Sequence, residues 1–248
     1  MTAVIFTGPS LPPELARTMI DAEIRPPVAQ GDLIRAVGAA PSAIGIIDGF
    51  FENVPSVWHK EILFALSRGI PVYGAASMGA LRAAELHAFG MIGVGAVFEA
   101  FRDGALEDDD EVAVVHGPAE LGYLPLSEAM VNIRCTLSDA RAGGVVSEQA
   151  RSILERVAKE LPYKSRSYDR ILAHASEHGA AVADLDAFRA WLPTGRRDAK
   201  REDAVLLVRT ISGLGSGVDR HAPLFHFERT TLWARAMSDA GRVGATPP

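Results

Sequence analysis

The sequence predicts an α/β protein, a mostly parallel sheet flanked by helices and followed by an all-helical C-terminal region. Three observations carry this. In the first half, short apolar runs alternate with helical patterns, as in a parallel sheet whose crossovers are helices. After residue 120 one helical pattern follows another. With 248 residues the chain is also long enough to bury a large core without disulfide or metal staples.

In chain order, AVIF from Ala3 to Phe6 reads as a buried strand that ends at the turn Thr7-Gly8-Pro9-Ser10. A helix is expected from Glu14 to Ala22. Glu23 to Arg25 reads as a short strand at a sheet edge, because Pro26 and Pro27 cannot donate to a ladder. Gly31 to Val37 is a short helix, and AIGIID from Ala43 to Asp48 a buried strand. After Gly49 a helix is expected over Val54 to Arg68, stopped by Gly69. The strand that begins at Ile70 feeds Ser77, and Met78 to Phe89 continues as a helix up to Gly90. Gly95 to Arg102 opens another. VAVV after the acidic run Glu107 to Glu111 reads as an additional strand, with the acids as its solvated flank. Helices then follow over Ser127 to Ala142, Ser147 to Leu161, Ser167 to His178, Ala183 to Trp191 and Ala199 to Ile211. This divides the chain into an α/β core over 1–120, a helical region packed on it over 121–240, and a frayed Gly/Pro-rich tail over 241–248.

Composition excludes several classes. The net charge is −6, from 25 basic and 31 acidic residues, with no basic cluster, so nucleic acid is not an expected partner. The single cysteine, Cys135, supports neither a disulfide framework nor a thiolate metal cluster, which suits a reducing cytoplasm. His116 has no partner at ligand spacing, and the acidic run resembles a cation site by composition only. No cofactor or metal is expected. The N-terminal apolar run is too short for a signal peptide, and no run is long enough for a membrane helix, which points to a cytoplasmic protein.

The chemistry centres on PVYGAASMGALRAAEL, a buried strand running through a small-residue turn into a strong helix. A serine on such a turn directs its hydroxyl away from both elements, and the first free amides of the helix, here Met78 and Gly79, can stabilise an oxyanion. The hydrolase elbow is G-x-S-x-G; this chain has A-x-S-x-G, with Ala75 in the first position. The competing reading is an ordinary serine N-cap.

In open parallel sheets the functional crevice lies outside the carboxyl ends of the strands. Three strand ends therefore deliver Gly8 and Ser10, Asp48, and Ser77 to one edge. The early helix after Asp48 adds Trp58, His59 and Lys60. Lysine is scarce here: Lys60, Lys159, Lys164 and Lys200 are the only ones, and the last three lie in the helical half. The positive end of a helix and partial burial both disfavour an ammonium ion, and a neutral amine is what a general base for serine requires. His59 with Asp48 as its orienter is the alternative base. Consecutive helical residues differ by about 100° in direction, so His59 and Lys60 cannot both face Ser77 equally. Arg82 and Glu85, on the helix behind Ser77, are spaced for a local ion pair.

Taken together, the blocks GPSL, IIDGFFENVPSVWHKEIL, VYGAASMGALRAAEL, FGMIGVG and DDDEVAVVHGP, in this order, resemble the TfuA-like proteins, densely over about residues 4 to 120. The resemblance implies an accessory protein of ribosomal peptide modification that partners a YcaO enzyme, the pair installing a backbone thioamide in a precursor peptide. It also implies hydrolysis of a thiocarboxylated ThiS-like carrier, with release of sulfide, through a Ser-Lys pair. Carried over by motif, that pair is Ser77 and Lys60. Gly8, Ser10, Asp48, His59, Arg82 and Glu85 are then expected to support the pair or contact the carrier tail. Two further readings remain open: a non-catalytic scaffold that binds the YcaO enzyme, and a general small-molecule esterase or amidase.

Overall fold

The computed structural model describes residues 2–52, 54–214 and 225–243. Five strands, β1 (Ala3–Phe6), β2 (Ala22–Arg25), β3 (Ile44–Ile46), β4 (Val72–Gly74) and β5 (Ile92–Gly93), form an all-parallel sheet in the order β2-β1-β3-β4-β5. Ile5 of β1 pairs with Ile24 of β2 on one side and Gly45 of β3 on the other. Strand order reverses between β1 and β3, which opens a crevice beyond their carboxyl ends.

Alternation along the strands decides which helix covers which face. Ala3, Ile5 and Tyr73 point to a face covered by α1 (Pro13–Met19) and by Leu207, Val208 and Ile211 of α10 (Ala199–Ser212). Gly45 lies on this face too, and a Cβ there would meet Leu207 Cδ2 at 2.9 Å and Ile211 Cδ1 at 2.9 Å. The glycine in I-G-I is thus what lets α10 seat on β3. Behind the other face run α2 (Asp32–Gly38), α3 (His59–Ser67) and α4 (Met78–Leu86), with α5 (Ala96–Arg102) against α4 and α11 (Thr231–Val243) against α2.

Asp203 of α10 caps α5. Its carboxylate accepts the Ala96 and Val97 amides at 3.0 and 2.8 Å, and burial pushes its pKa up to about 6.

The chain clusters into two compact units, 1–105 with 201–248, and 106–200. The second unit is helical: α6 (Met130–Ala142), α7 (Glu148–Glu160), α8 (Tyr168–Glu177) and α9 (Val182–Gly195) enclose a core of Ile133, Leu137, Leu154, Ile171 and Phe188. Ser147 and Ser167 cap α7 and α8 through the Ala150 and Arg170 amides.

Three expectations change. First, α3 starts at His59 rather than Val54. Pro55 biases its predecessor away from helix, and the Glu61 carboxylate accepts the Trp58 N–H at 3.3 Å, so the first turn is fixed there.

Second, VAVV is not a strand. Val112 closes a turn onto the Asp109 carbonyl, and His116 forms an isolated bridge to Pro125. The preceding acids are not a solvated flank either. Glu111 is gripped by both nitrogens of an Arg134 fork at 2.9 Å, and Asp110 pairs with Lys159 and with buried Arg166. Those cations sit on or beside α6 and α7, so the run is tied to helices instead of to a strand neighbour.

Third, α11 had no counterpart in the reading of the sequence. It extends to Val243, into the segment read as a frayed tail, of which residues 244–248 lie outside the described ones.

Candidate active site at the carboxyl edge of the sheet

The carboxyl ends of β1, β3 and β4 converge as their parallel register requires. Asp48, just beyond β3, is 1% exposed and pins the loop after β1. Its Oδ2 accepts the Gly8 and Ser10 amides at 2.9 and 3.0 Å, and its Oδ1 accepts the Ser10 hydroxyl at 2.6 Å. All three bonds are charge-assisted, so Asp48 acts here as the clasp of the crevice. Gly8, Ser10 and Asp48 form one group, as their strand-end positions suggested.

Ser77 is the N-cap of α4 and is 2% exposed. The turn that delivers it is strained. Ala76 has φ +66°, uncommon for a residue with a side chain, and the Ser77 N–H closes back onto the Ala75 carbonyl at 2.7 Å. A three-residue turn of this hand is rare, and backbone strain of this kind costs on the order of 1–3 kcal/mol.

What over-determines the turn is backbone packing on either side. A Cβ on Gly74 would lie 2.1 Å from the Gly79 carbonyl oxygen, and one on Gly79 would lie 1.8 Å from that of Ile46. The first turn of α4 therefore rests directly on β3 and β4. This is the steric reason for small residues on both sides of Ser77.

The two amides expected to be free differ. Gly79 N–H donates to the Ile47 carbonyl at 3.3 Å, so it already has an internal acceptor. Met78 N–H has no acceptor among the described residues and lies at the positive end of α4. Met78 also packs against Gly49, where a Cβ would meet Met78 Cβ at 2.8 Å, so the crevice clasped by Asp48 adjoins the start of α4.

His59, Arg82 and Glu85 form a second group, larger than the Arg-Glu pair that helical spacing suggested. Glu85 Oε2 accepts from Arg82 Nη1 at 2.7 Å and lies 2.8 Å from His59 Nε2, while Arg82 Nε donates to the Val57 carbonyl at 3.3 Å. Burial raises the Glu85 carboxyl, but its bonds to His59 and Arg82 outweigh that and hold it below its ordinary value. The cluster ties the start of α3, which carries Lys60, to the helix that Ser77 opens. His59 is thus engaged with Glu85, and Asp48 with the loop of Gly8 and Ser10.

Lys60 is half-buried in the first turn of α3. Its Nζ donates to Thr230 Oγ1 at 3.4 Å and stands 5.5 Å from the centroid of the Phe227 ring. Neither partner was found by reading the sequence. The signals available were Thr230, a helix N-cap residue whose hydroxyl accepts the Trp233 N–H at 3.2 Å, and the helical spacing of Trp233, Ala236, Met237 and Ala240 after it. Glu61, next to Lys60, faces inward, where it accepts the Gly31 amide at the start of α2; burial raises its pKa above the ordinary value.

Residues 48–167 match the family model described as TfuA-like protein. The matched segment starts at Asp48 and holds His59, Lys60, Ser77 to Gly79, Arg82 and Glu85. It leaves out the GPSL loop and runs beyond the stretch up to 120 where the resemblance was densest. No curated protein matches the chain.

Proposed function

With residues 48–167 marking this chain as a TfuA-like protein, we propose that it is a Ser-Lys hydrolase of a thiocarboxylated carrier protein, a cytoplasmic accessory to a YcaO enzyme in peptide thioamidation. The observation that carries the reading is the strained Ala76 turn. It presents Ser77 at the start of α4 beside the Met78 amide, while Lys60 opens the neighbouring helix, which the Arg82-Glu85-His59 cluster ties to α4.

In the proposed reaction neutral Lys60 takes the Ser77 hydroxyl proton and Ser77 Oγ attacks the carbonyl carbon of the thiocarboxylate. The oxyanion faces the Met78 amide. The Lys60 ammonium returns its proton to the departing sulfur as the carbon–sulfur bond breaks, hydrosulfide leaves, and an ester joins the carrier to Ser77. Lys60 then takes a proton from water, which cleaves the ester to a carrier carboxylate and restores the hydroxyl. The sulfide goes to the peptide amide that the YcaO enzyme has activated, so the precursor peptide is met only indirectly.

The test is intact-mass detection of the ester. Chain and ThiS-like carrier, quenched early, should give a species equal to their sum less hydrogen sulfide, and Ser77→Ala should abolish it. Absence of the adduct together with sulfide release that Ser77→Ala leaves intact would overturn the proposal.

One observation favours a scaffold contribution. Within the matched segment Leu121, Leu124 and Leu126 are 64%, 57% and 63% exposed on a turn closed by the Gly117 to Leu124 and Leu126 to Val115 backbone bonds. A scaffold that only binds the YcaO enzyme predicts normal thioamidation with Ser77→Ala.

A further inference from the structure

We infer that Phe227 and Thr230 are positioning residues for Lys60, supplied from outside the family-matched segment to hold the amine of the proposed base. The inference rests on the Ser-Lys reading for its catalytic meaning, though not for its geometry.

Lysine carries a flexible four-carbon stem, and leaving it free spreads the ammonium over many rotamers. Here two groups restrict it. Thr230 Oγ1 accepts from Nζ at 3.4 Å, and the Phe227 ring presents its π system 5.5 Å away. Neither group is loose. The Thr230 hydroxyl is fixed by its capping bond from Trp233 N–H, and the Thr230 carbonyl accepts the Ala234 N–H at 3.0 Å. Phe227 is wedged between Phe64, one turn beyond Lys60 on α3, and Trp233, with ring centroids 5.7 and 5.2 Å away. Phe64 and buried Trp233 close the triangle at 5.1 Å. The aromatic triangle thus anchors residues 225–233 to α3, with Thr230 and Phe227 aligned on the lysine.

The test is competitive labelling of the full chain with an amine-acylating reagent, read by peptide mass spectrometry, with exposed Lys164 as internal reference. Phe227→Leu and Thr230→Val should each raise Lys60 labelling relative to Lys164 about two- to fivefold, the factor an exposed cation–π contact is worth. Phe227→Tyr and Thr230→Ser, which keep the ring and the capping hydroxyl, should restore the wild-type ratio. Leu232→Ala, an exposed neighbour, should leave it unchanged and so controls for loosening of the segment.

In turnover, Phe227→Leu should lower kcat for sulfide release with KM little altered. Unchanged Lys60 labelling in both disruptive variants, or kcat at or above wild type in Phe227→Leu, overturns the inference. Labelling needs no turnover, so it decides the positioning by itself. A wild-type chain that releases no sulfide counts against the proposed reaction, and the labelling ratio still stands or falls separately.

Discussion

Gly79 and Ile46 meet backbone to backbone: a Cβ on Gly79 would fall 1.8 Å from the Ile46 carbonyl oxygen. The obstacle is main chain in the centre of the sheet, which no side-chain rotamer can clear. Gly79→Ala must push α4 away from β3, at a cost of at least about 1–3 kcal/mol. Urea denaturation should show that loss, and Gly90→Ala, whose Cβ would meet nothing within 4 Å, separates crowding from left-handed strain at φ +99°.

Asp48 predicts a different signature. Asp48→Asn keeps the shape but turns an acceptor into a donor facing the Gly8 and Ser10 amides, so it should cost about 1.5–3 kcal/mol, the scale of a lost hydrogen bond to a charged group. His59→Ala breaks a contact that is half exposed and should cost under about 1 kcal/mol. Chemical denaturation of the two variants in parallel checks the contrast.

Asp203 makes stability depend on pH in an unusual direction. Its carboxyl titrates at about 6 in the folded chain against 3.8 ordinarily, so between these values the folded state holds a proton that the unfolded state has lost. Its contribution therefore falls as pH rises from about 3.8 to about 6, then levels off. Denaturation midpoints for wild type and Asp203→Asn across this window should show the slope in the first and its loss in the second.

The helical unit responds oppositely. Burial raises Glu111, but Arg134 and Lys159 outweigh it and hold the carboxyl below 4.5; Asp110 is likewise held below 3.8 by Lys159 and Arg166 against the pull of burial. Each stabilises the fold above its ordinary value and loses that contribution as pH falls through and below it. Glu111→Gln should flatten the acid limb of unfolding, measured by helical circular dichroism from pH 5 to 2, roughly the range in which salt-bridged carboxylates protonate.

Much of the fold was legible because short apolar runs with abrupt polar or proline ends leave few alternatives. β1, β3 and β4 were found in this way, as was Ser77 at the start of its helix. β5, at two residues, carries no periodicity to read. VAVV misled because apolar residues beside an acidic run look alike whether they pair with a strand or pack beneath ion pairs to Arg134 and Lys159.

Within the site, Gly8 and Ser10 beyond β1 and Asp48 beyond β3 were expected at one sheet edge, and they hydrogen-bond to each other there. The partners of Lys60 were hidden for a topological reason. Thr230 is 170 positions away, at the N-cap of α11, a helix that the sequence announces only locally, through that threonine and the helical spacing of Trp233, Ala236, Met237 and Ala240. The use of the Gly79 amide by Ile47 could not be read either, since it depends on how closely α4 approaches β3.

The most direct measurement is the rate of sulfide release from a thiocarboxylated ThiS-like carrier by wild type, Ser77→Ala and Lys60→Ala, each confirmed as folded. A loss of about 100-fold or more is expected in both variants, the scale of a missing nucleophile or general base, with carrier binding retained. Release at the wild-type rate in either variant would contradict the Ser-Lys reading.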